Sequence, residues 1–204
     1  EKKYVAAEDI IVPPGANNTD YTVISAVKCS APVNVTVKAV LGSSADAYCS
    51  DNSLYVASSG TKDGAVYTSV TSFDISENGL VYKASGSVDG ELVSRYSMTE
   101  ADGKFRIACR AYNENGMMTT NIYTLDSSLG IVSKSEGLLP GVIAGAVKFD
   151  GSYASIFENG ETEPSLVVDL DKAADSADKA TGFMAAYVNS FGDDLMVGIT
   201  SSDD

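Results

Sequence analysis

Residues 77–86 read ENGLVYKASG, and 51 positions later residues 128–137 read SLGIVSKSEG. Glycine meets glycine at Gly79/Gly130 and Gly86/Gly137, lysine meets lysine at Lys83/Lys134, and branched apolar pairs coincide. Four residues further, Gly90 and Gly141 coincide as well. A strand-like phrase returning at such an interval marks a unit that is built more than once, so the repeat decides the fold before any local propensity does.

Working outward, four phrases share the form turn, then apolar run: Asp51-Asn52-Ser53-Leu54-Tyr55-Val56, Asp102-Gly103-Lys104-Phe105-Arg106-Ile107, Asp150-Gly151-Ser152-Tyr153-Ala154-Ser155-Ile156 and Gly192-Asp193-Asp194-Leu195-Met196-Val197. Anchored on Leu54, Phe105, Tyr153 and Leu195, their intervals are 51, 48 and 42 residues. Asp and Gly at these points permit the left-handed backbone of tight hairpins. A second series ends in aspartate, at Asp74, Asp126 and Asp169, with intervals of 52 and 43 that drift in step with the first. Both series therefore belong to one unit.

The best copy reads as four strands: Leu92 to Thr99, Lys104 to Arg110, Thr120 to Leu125 and Gly130 to Ser135. Antiparallel neighbours joined by turns cost little loop entropy, so the unit is a meander. Four strands per period of roughly 40–50 residues is the mark of a β-propeller blade, whose two faces are buried only when blades stack. The sequence thus predicts an all-β β-propeller of four-stranded antiparallel blades, about four in number. Three blades cover about 45–90, 91–141 and 142–184, and a composite blade is expected from 1–44 and 185–204. In that composite, Tyr21 to Cys29 and Pro32 to Leu41 supply two strands, and Ala185 to Ser190 and Leu195 to Thr200 the others. The alternative is part of a larger ring with open edge strands.

Composition agrees with this fold. The 204 residues are 44 % hydrophobic with 11 Tyr and no Trp, and short Val, Ser and Thr runs favour strands. The net charge of −14 repels phosphate backbones and anionic membranes, so no nucleic acid is expected as a partner. No apolar run approaches the ~20 residues that cross a bilayer. Glu1-Lys2-Lys3-Tyr4 does not open a signal peptide, so the sequence reads as a processed or excised piece whose export signal is not within it. Cys29, Cys49 and Cys109 fit neither a disulfide framework nor a zinc site; a Cys29–Cys49 pair stays open, and buried apolar thiols are the favoured reading.

Arg95-Tyr96-Ser97-Met98-Thr99-Glu100 followed by Phe105-Arg106-Ile107-Ala108 resembles the best-marked segment of a family of secreted bacterial proteins with a C-terminal β-propeller distantly related to WD repeats. Gly137-Leu138-Leu139-Pro140-Gly141, Val147 to Ala154, Glu163 to Leu170 and Gly182 to Ile199 continue the resemblance in order, from about Tyr21 to the end. Asn189-Ser190 stands where that family often has histidine-proline, and Lys148 where it usually has arginine. The resemblance implies a propeller, export, attachment at a cell surface and a domain longer than this chain. It implies no catalytic residues.

The chemistry on offer is narrow. Without a single histidine, Ser-His-Asp and Cys-His catalysis and His-ligated metals are excluded in their usual forms. No phosphate loop or dinucleotide fingerprint is present, and no cofactor is expected. Glu100, Glu136, Glu158, Glu161 and Glu163 are the carboxylates from which a glycan hydrolase or lyase would be built. Asp74, Asp126 and Asp169 recur at one position and are read as turn-stabilising. Asp169-Leu170-Asp171 through Asp175 lacks the Gly and terminal Glu of an EF-hand loop, so no metal site is assigned. Arg95, Arg106 and Arg110 cluster in one blade with Tyr96 and Tyr112, a composition common at binding surfaces, and these five are the candidate ligand-binding residues. Their alternative is ion pairing with the many carboxylates. Tyr112 to Met118 is expected to be a flexible partner-contacting loop. The favoured function is a non-enzymatic extracellular or cell-surface scaffold for a protein or glycan. The hydrolase or lyase is one alternative, and a module that completes its propeller with another chain is the other.

Overall fold

The computed structural model describes residues 4–16, 19–42, 46–77, 79–158, 166–171, 177–179, 187–190 and 196–199. After a short 3-10 turn at Ala7–Asp9, the regular structure among the described residues is strand alone. β1 (Ile10–Ile11), β2 (Tyr21–Lys28) and β3 (Ala31–Leu41) form the first sheet, ordered β1-β3-β2. β4 (Asp46–Cys49), β5 (Ser53–Lys62), β6 (Ala65–Ser76) and β7 (Gly79–Asp89) form the second in sequence order. The third holds β8 (Glu91–Leu92), β9 (Met98–Ala101), β10 (Lys104–Tyr112), β11 (Met118–Leu125) and β12 (Ile131–Leu138). β13 (Ala144–Asp150), β14 (Tyr153–Glu158), β15 (Leu166–Asp169) and β16 (Ala177–Lys179) make the fourth, and β17 (Tyr187–Ser190) pairs with β18 (Met196–Ile199).

The second to fourth sheets are antiparallel meanders, as the repeat predicts. Their stacking follows from strict alternation. In β5, Leu54 and Val56 pack toward the first sheet, against Val40, Ile24 and Ala26, while Tyr55 and Ala57 pack toward the third. In β10, Phe105, Ile107 and Cys109 join Tyr55, Ala57 and Val70 of the second sheet, whereas Ala108 meets Val147, Ala154 and Ile156 of the fourth. The period-2 side-chain pattern therefore loads both faces of each middle sheet, and each fully buried apolar side chain contributes about 1.5–3 kcal/mol. One adjustment follows: the third copy is anchored by the fully buried Ala154 and not by Tyr153, which is 52 % exposed.

These interfaces are rich in hydroxyls. Thr68, Ser69, Thr71, Ser72, Thr119, Thr120 and Thr124 are all buried. Most find partners across strands: Ser59 with Thr68 at 2.9 Å, Thr71 with Ser85 at 3.1 Å, and Thr119 Oγ1 donating to the Ala111 carbonyl at 3.1 Å. A buried hydroxyl without such a partner is costly, and in this set Thr120 Oγ1 has none.

The repeated glycines that end each unit do the same work twice. Gly90 and Gly141 both lie at positive φ, 97° and 85°. The Gly90 amide donates to the Val66 carbonyl at 2.9 Å and the Gly141 amide to the Met118 carbonyl at 2.8 Å, each at the start of its unit's third strand. Each glycine closes the fourth strand and swings the chain back to begin the next sheet. The first hairpin of the third sheet turns on Asp102 and Gly103, at φ 53° and 68°, the pair of left-handed residues that a two-residue turn needs.

Two expectations are corrected. The strand expected over Leu92 to Thr99 is broken: β8 and β9 both pair with β10, and the residues between them leave the sheet. The thiols are not all buried. Cys109 is, but Cys29 and Cys49 are exposed, and all three are unpaired.

Candidate functional site

The break between β8 and β9 carries two exposed candidate residues on a tightly bonded turn. The Val93 amide donates to the Ala108 carbonyl and the Ala108 amide to the Ser97 carbonyl, so the chain leaves and rejoins the sheet across a single residue of β10. Between these points the Ser97 amide donates to the Ser94 carbonyl at 2.9 Å, the two serine hydroxyls meet at 3.1 Å, and the Tyr96 amide donates to Ser94 Oγ at 3.3 Å. Ser97 is fully buried, and its Oγ accepts the Val147 amide of the fourth sheet at 3.2 Å. A turn tied this way leaves the backbone beneath its two outer side chains with little conformational freedom to lose. Those side chains are Arg95, 66 % exposed with Asp46 of the second sheet at 3.8 Å, and Tyr96, 76 % exposed.

The other three candidates lie elsewhere. Arg106 is withdrawn from solvent: it is 3 % exposed, and its Nη1 donates to the Gly151 carbonyl in the β13–β14 turn. Its position makes it a clamp between the third and fourth sheets and gives it no ligand-facing surface. Arg110 lies on the same face of β10, about 13 Å along the strand at four residues of rise. Its Nη2 is 3.7 Å from Glu91, its cross-strand neighbour. Tyr112, 67 % exposed, stands at the strand's far end. Arg95 and Tyr96 are therefore brought together, while Arg106, Arg110 and Tyr112 are strung along β10.

The loop after Tyr112 is tied where flexibility was expected. Asn113 Oδ1 accepts the Asn115 and Met117 amides, each at 3.0 Å, and the Asn113 amide donates to the Met117 carbonyl at 2.9 Å. Met117 is exposed, but Met118 begins β11 and is half-buried.

Two of the five candidate carboxylates, Glu100 and Glu136, are engaged in structure. Glu100 accepts the hydroxyls of Ser50 and Ser53 from the second sheet. Glu136 accepts Tyr123 Oη at 3.2 Å and pairs with Lys134 at 2.6 Å. Glu161 and Glu163 lie outside the described residues. Two of the recurring aspartates organise turns. Asp126 Oδ1 accepts the hydroxyl and amide of Ser128 and the amide of Gly130, bonds that hold its carboxyl below the usual value. Asp169 Oδ1 accepts the Asp171 amide at 3.1 Å, whereas Asp74 instead pairs with Lys83 at 3.0 Å. Among the described residues no group of three His, Cys, Asp or Glu side chains is placed to hold a metal ion, and no helix is long and apolar enough to cross a membrane.

Sequence reasoning missed the aromatic junction beside Glu100. Tyr55 stacks on Phe105 with ring centroids 4.0 Å apart and planes within 10°, and Tyr48 tilts against both. Burial, with Glu100 nearby, pushes the Tyr55 phenol up to about 12, and burial pushes the Cys109 thiol up to about 12 from 9.0. Burial raises Tyr123 as well. Each neutral form is favoured by folding, so its contribution is complete below the unfolded value and lost as pH rises through the folded one. The thermal midpoint is expected to hold steady up to about pH 9 and then fall continuously toward pH 12. Melts across that range check this; a decline that is unchanged in a Tyr55→Phe, Cys109→Ala variant would refute the assignment.

Consecutive antiparallel meanders packed face to face, the middle two buried on both faces, are the architecture of a β-propeller. The family model described as a Beta propeller domain matches residues 1–203, and the chain belongs to that family. An uncharacterized protein of Methanocaldococcus jannaschii is 36 % identical over 126 residues, 59 % of this chain and 20 % of that protein. One from Archaeoglobus fulgidus is 35 % identical over 85 residues, 41 % of this chain and 13 % of that protein. The matched stretch thus spans a fifth or less of either relative, and both are archaeal where the sequence resemblance implies bacterial proteins.

Proposed function

We propose that the chain is a non-enzymatic binding module of an extracellular or cell-surface protein, a stack of blades over 45–90, 91–141 and 142–184 that presents Arg95 and Tyr96 to a protein or glycan. The observation that carries this reading is the Ser94–Ser97 turn. An exposed tyrosine and arginine stand on a backbone locked at both ends to the sheet and, through Ser97 Oγ, to the neighbouring sheet. Tyrosine and arginine are enriched among the few residues that dominate binding energy, and a preorganised mount reduces the entropy that binding must overcome.

The test is binding of the chain to a glycan array and to intact cell-envelope preparations, beside an Arg95→Ala/Tyr96→Ala variant. At least a tenfold loss of affinity is expected, about 1.4 kcal/mol, with an unchanged thermal midpoint because both side chains are exposed. Equal binding by the two proteins would move the site elsewhere. Release of new reducing ends or unsaturated products from a bound glycan would replace the scaffold reading with the hydrolase or lyase.

A further inference from the structure

Arg95 and Tyr96 share their surface with a carboxylate. Asp46 is the first residue of β4, the first strand of the second sheet, and stands beside the turn that interrupts the first strand of the third. The Ser97 hydroxyl ties the same turn to Val147 in β13, the first strand of the fourth sheet. Three consecutive sheets therefore fix where these groups stand. Arg95 Nε and Asp46 Oδ1 are 3.8 Å apart, too far for a hydrogen bond, and the two side chains are 66 % and 44 % exposed. Neither side chain makes a hydrogen bond among the described residues. A donor and an acceptor held side by side at this spacing, both open to solvent, take a hydroxyl-bearing molecule between them.

Charge selects among the possible ligands. An anion would gain Arg95 but face Asp46 and the field of a chain whose net charge is −14. A cation would gain that field but face Arg95 directly beside the tyrosine. The pair itself sums to zero, which suits an uncharged ligand. A protein partner is disfavoured by the surroundings. Hot-spot residues bind inside a rim of contacts that excludes water, and apart from Tyr96 no large apolar side chain of β4, β8, β9 or the turn is exposed. One open aromatic ring with polar groups at its side matches a pyranose, whose C–H face is apolar and whose rim is hydroxyl. Building on the reading of this turn as the binding site, we propose that its ligand is an uncharged glycan. One hydroxyl of a vicinal diol donates to Asp46, its neighbour accepts from Arg95, and Tyr96 stacks on the C–H face of the same sugar. Adjacent hydroxyls, each bonding at about 2.8 Å, close the 3.8 Å gap that the two side chains leave.

The test is titration of the chain with neutral, uronate-containing and sulfated oligosaccharides, and with an acidic and a basic peptide, at about 50 and about 500 mM salt. A neutral oligosaccharide is expected to bind, with its affinity changing less than about twofold between the two salt concentrations, because no net charge is neutralised. Asp46→Ala is expected to weaken that binding by about tenfold or more, and O-methylation of the diol to weaken it as much, since a polar group left facing a missing hydroxyl rejects the analogue. The thermal midpoint of Asp46→Ala should stay unchanged, because an exposed ion pair contributes little to stability. Binding confined to charged glycans or peptides, and lost in Arg95→Ala/Tyr96→Ala, would overturn the uncharged ligand and leave the binding turn standing. A neutral glycan bound equally by Arg95→Ala/Tyr96→Ala would overturn both. Binding that needs Arg95 and Tyr96 but ignores Asp46→Ala would overturn the diol bridge, and a panel in which nothing binds would overturn the proposal outright.

Discussion

Gly90→Ala is expected to lower the thermal midpoint by about 8–15 °C, against about 2–6 °C for Gly141→Ala. The two glycines hold the same place in successive units and both lie at positive φ. An alanine at either position pays the left-handed backbone strain of about 1–2 kcal/mol. The surroundings differ. A Cβ at Gly90 would lie 2.4 Å from the Arg110 carbonyl oxygen, while one at Gly141 would meet nothing within 4 Å. Backbone cannot rotate aside as a side chain can, so relief at Gly90 means displacing β10 or the Gly90–Val66 hydrogen bond. Thermal melts of the two variants measure the clash directly, as the difference between the drops. Equal drops would show that the junction at Gly90 relaxes at no cost.

Phe105→Ala should cost about 3–5 kcal/mol, the range for deleting a fully buried aromatic ring. Phe105 is 1 % exposed and fills the junction between the second and third sheets, stacked on Tyr55 and bordered by Tyr48. The vacated space is enclosed by two sheets that are themselves held from behind, so collapse around it is limited. Urea unfolding reads the loss, and the near-ultraviolet circular dichroism of the tyrosines should weaken with it. Phe105→Leu is expected to retain more than half of the stability. A loss below about 1.5 kcal/mol for the alanine variant would mean that the two sheets close around the vacated space.

Much of the fold was legible because the repeat carries its own register. Asp102-Gly103 before an apolar run can form little except a hairpin, and the glycine coincidences marked the repeat, although the fourth strand read as ending at Ser135 runs on to Leu138. Alternation also predicted that Arg106 and Arg110 share a face. It could not show that Arg106 is buried, because its acceptor is a backbone carbonyl in a turn 45 positions away and no side-chain pattern announces a carbonyl. The third copy was read one residue early because Tyr153 looks more like a core residue than Ala154 does, yet pleating points the alanine inward.

The candidate site was half legible. Arg95 and Tyr96 stood out by composition, but the strand drawn through them was wrong. Leu92, Val93 and Met98 support a continuous strand, and the two serines that close the turn are common in this chain's strands too. Their roles emerge only when Ser97 meets Val147 of the next sheet. The Tyr55–Phe105 stack was missed for a similar reason: each lies in a phrase recognised as a copy, and likeness between copies hides contacts that join different ones.

The matched junctions at Gly90 and Gly141 bear on how such a chain can change its length. Each glycine's amide bonds back to the third strand of the unit it closes, at Val66 and Met118 respectively, so a unit carries its own terminating bond with it. A stretch of gene running from one junction to the next encodes a complete meander together with the bend that hands the chain onward. Duplication or loss of such a stretch in frame adds or removes a whole blade and leaves the neighbouring bends intact. A unit bounded by two such junctions is therefore self-contained, and its neighbours need no redesign of any strand to accept one more or one fewer.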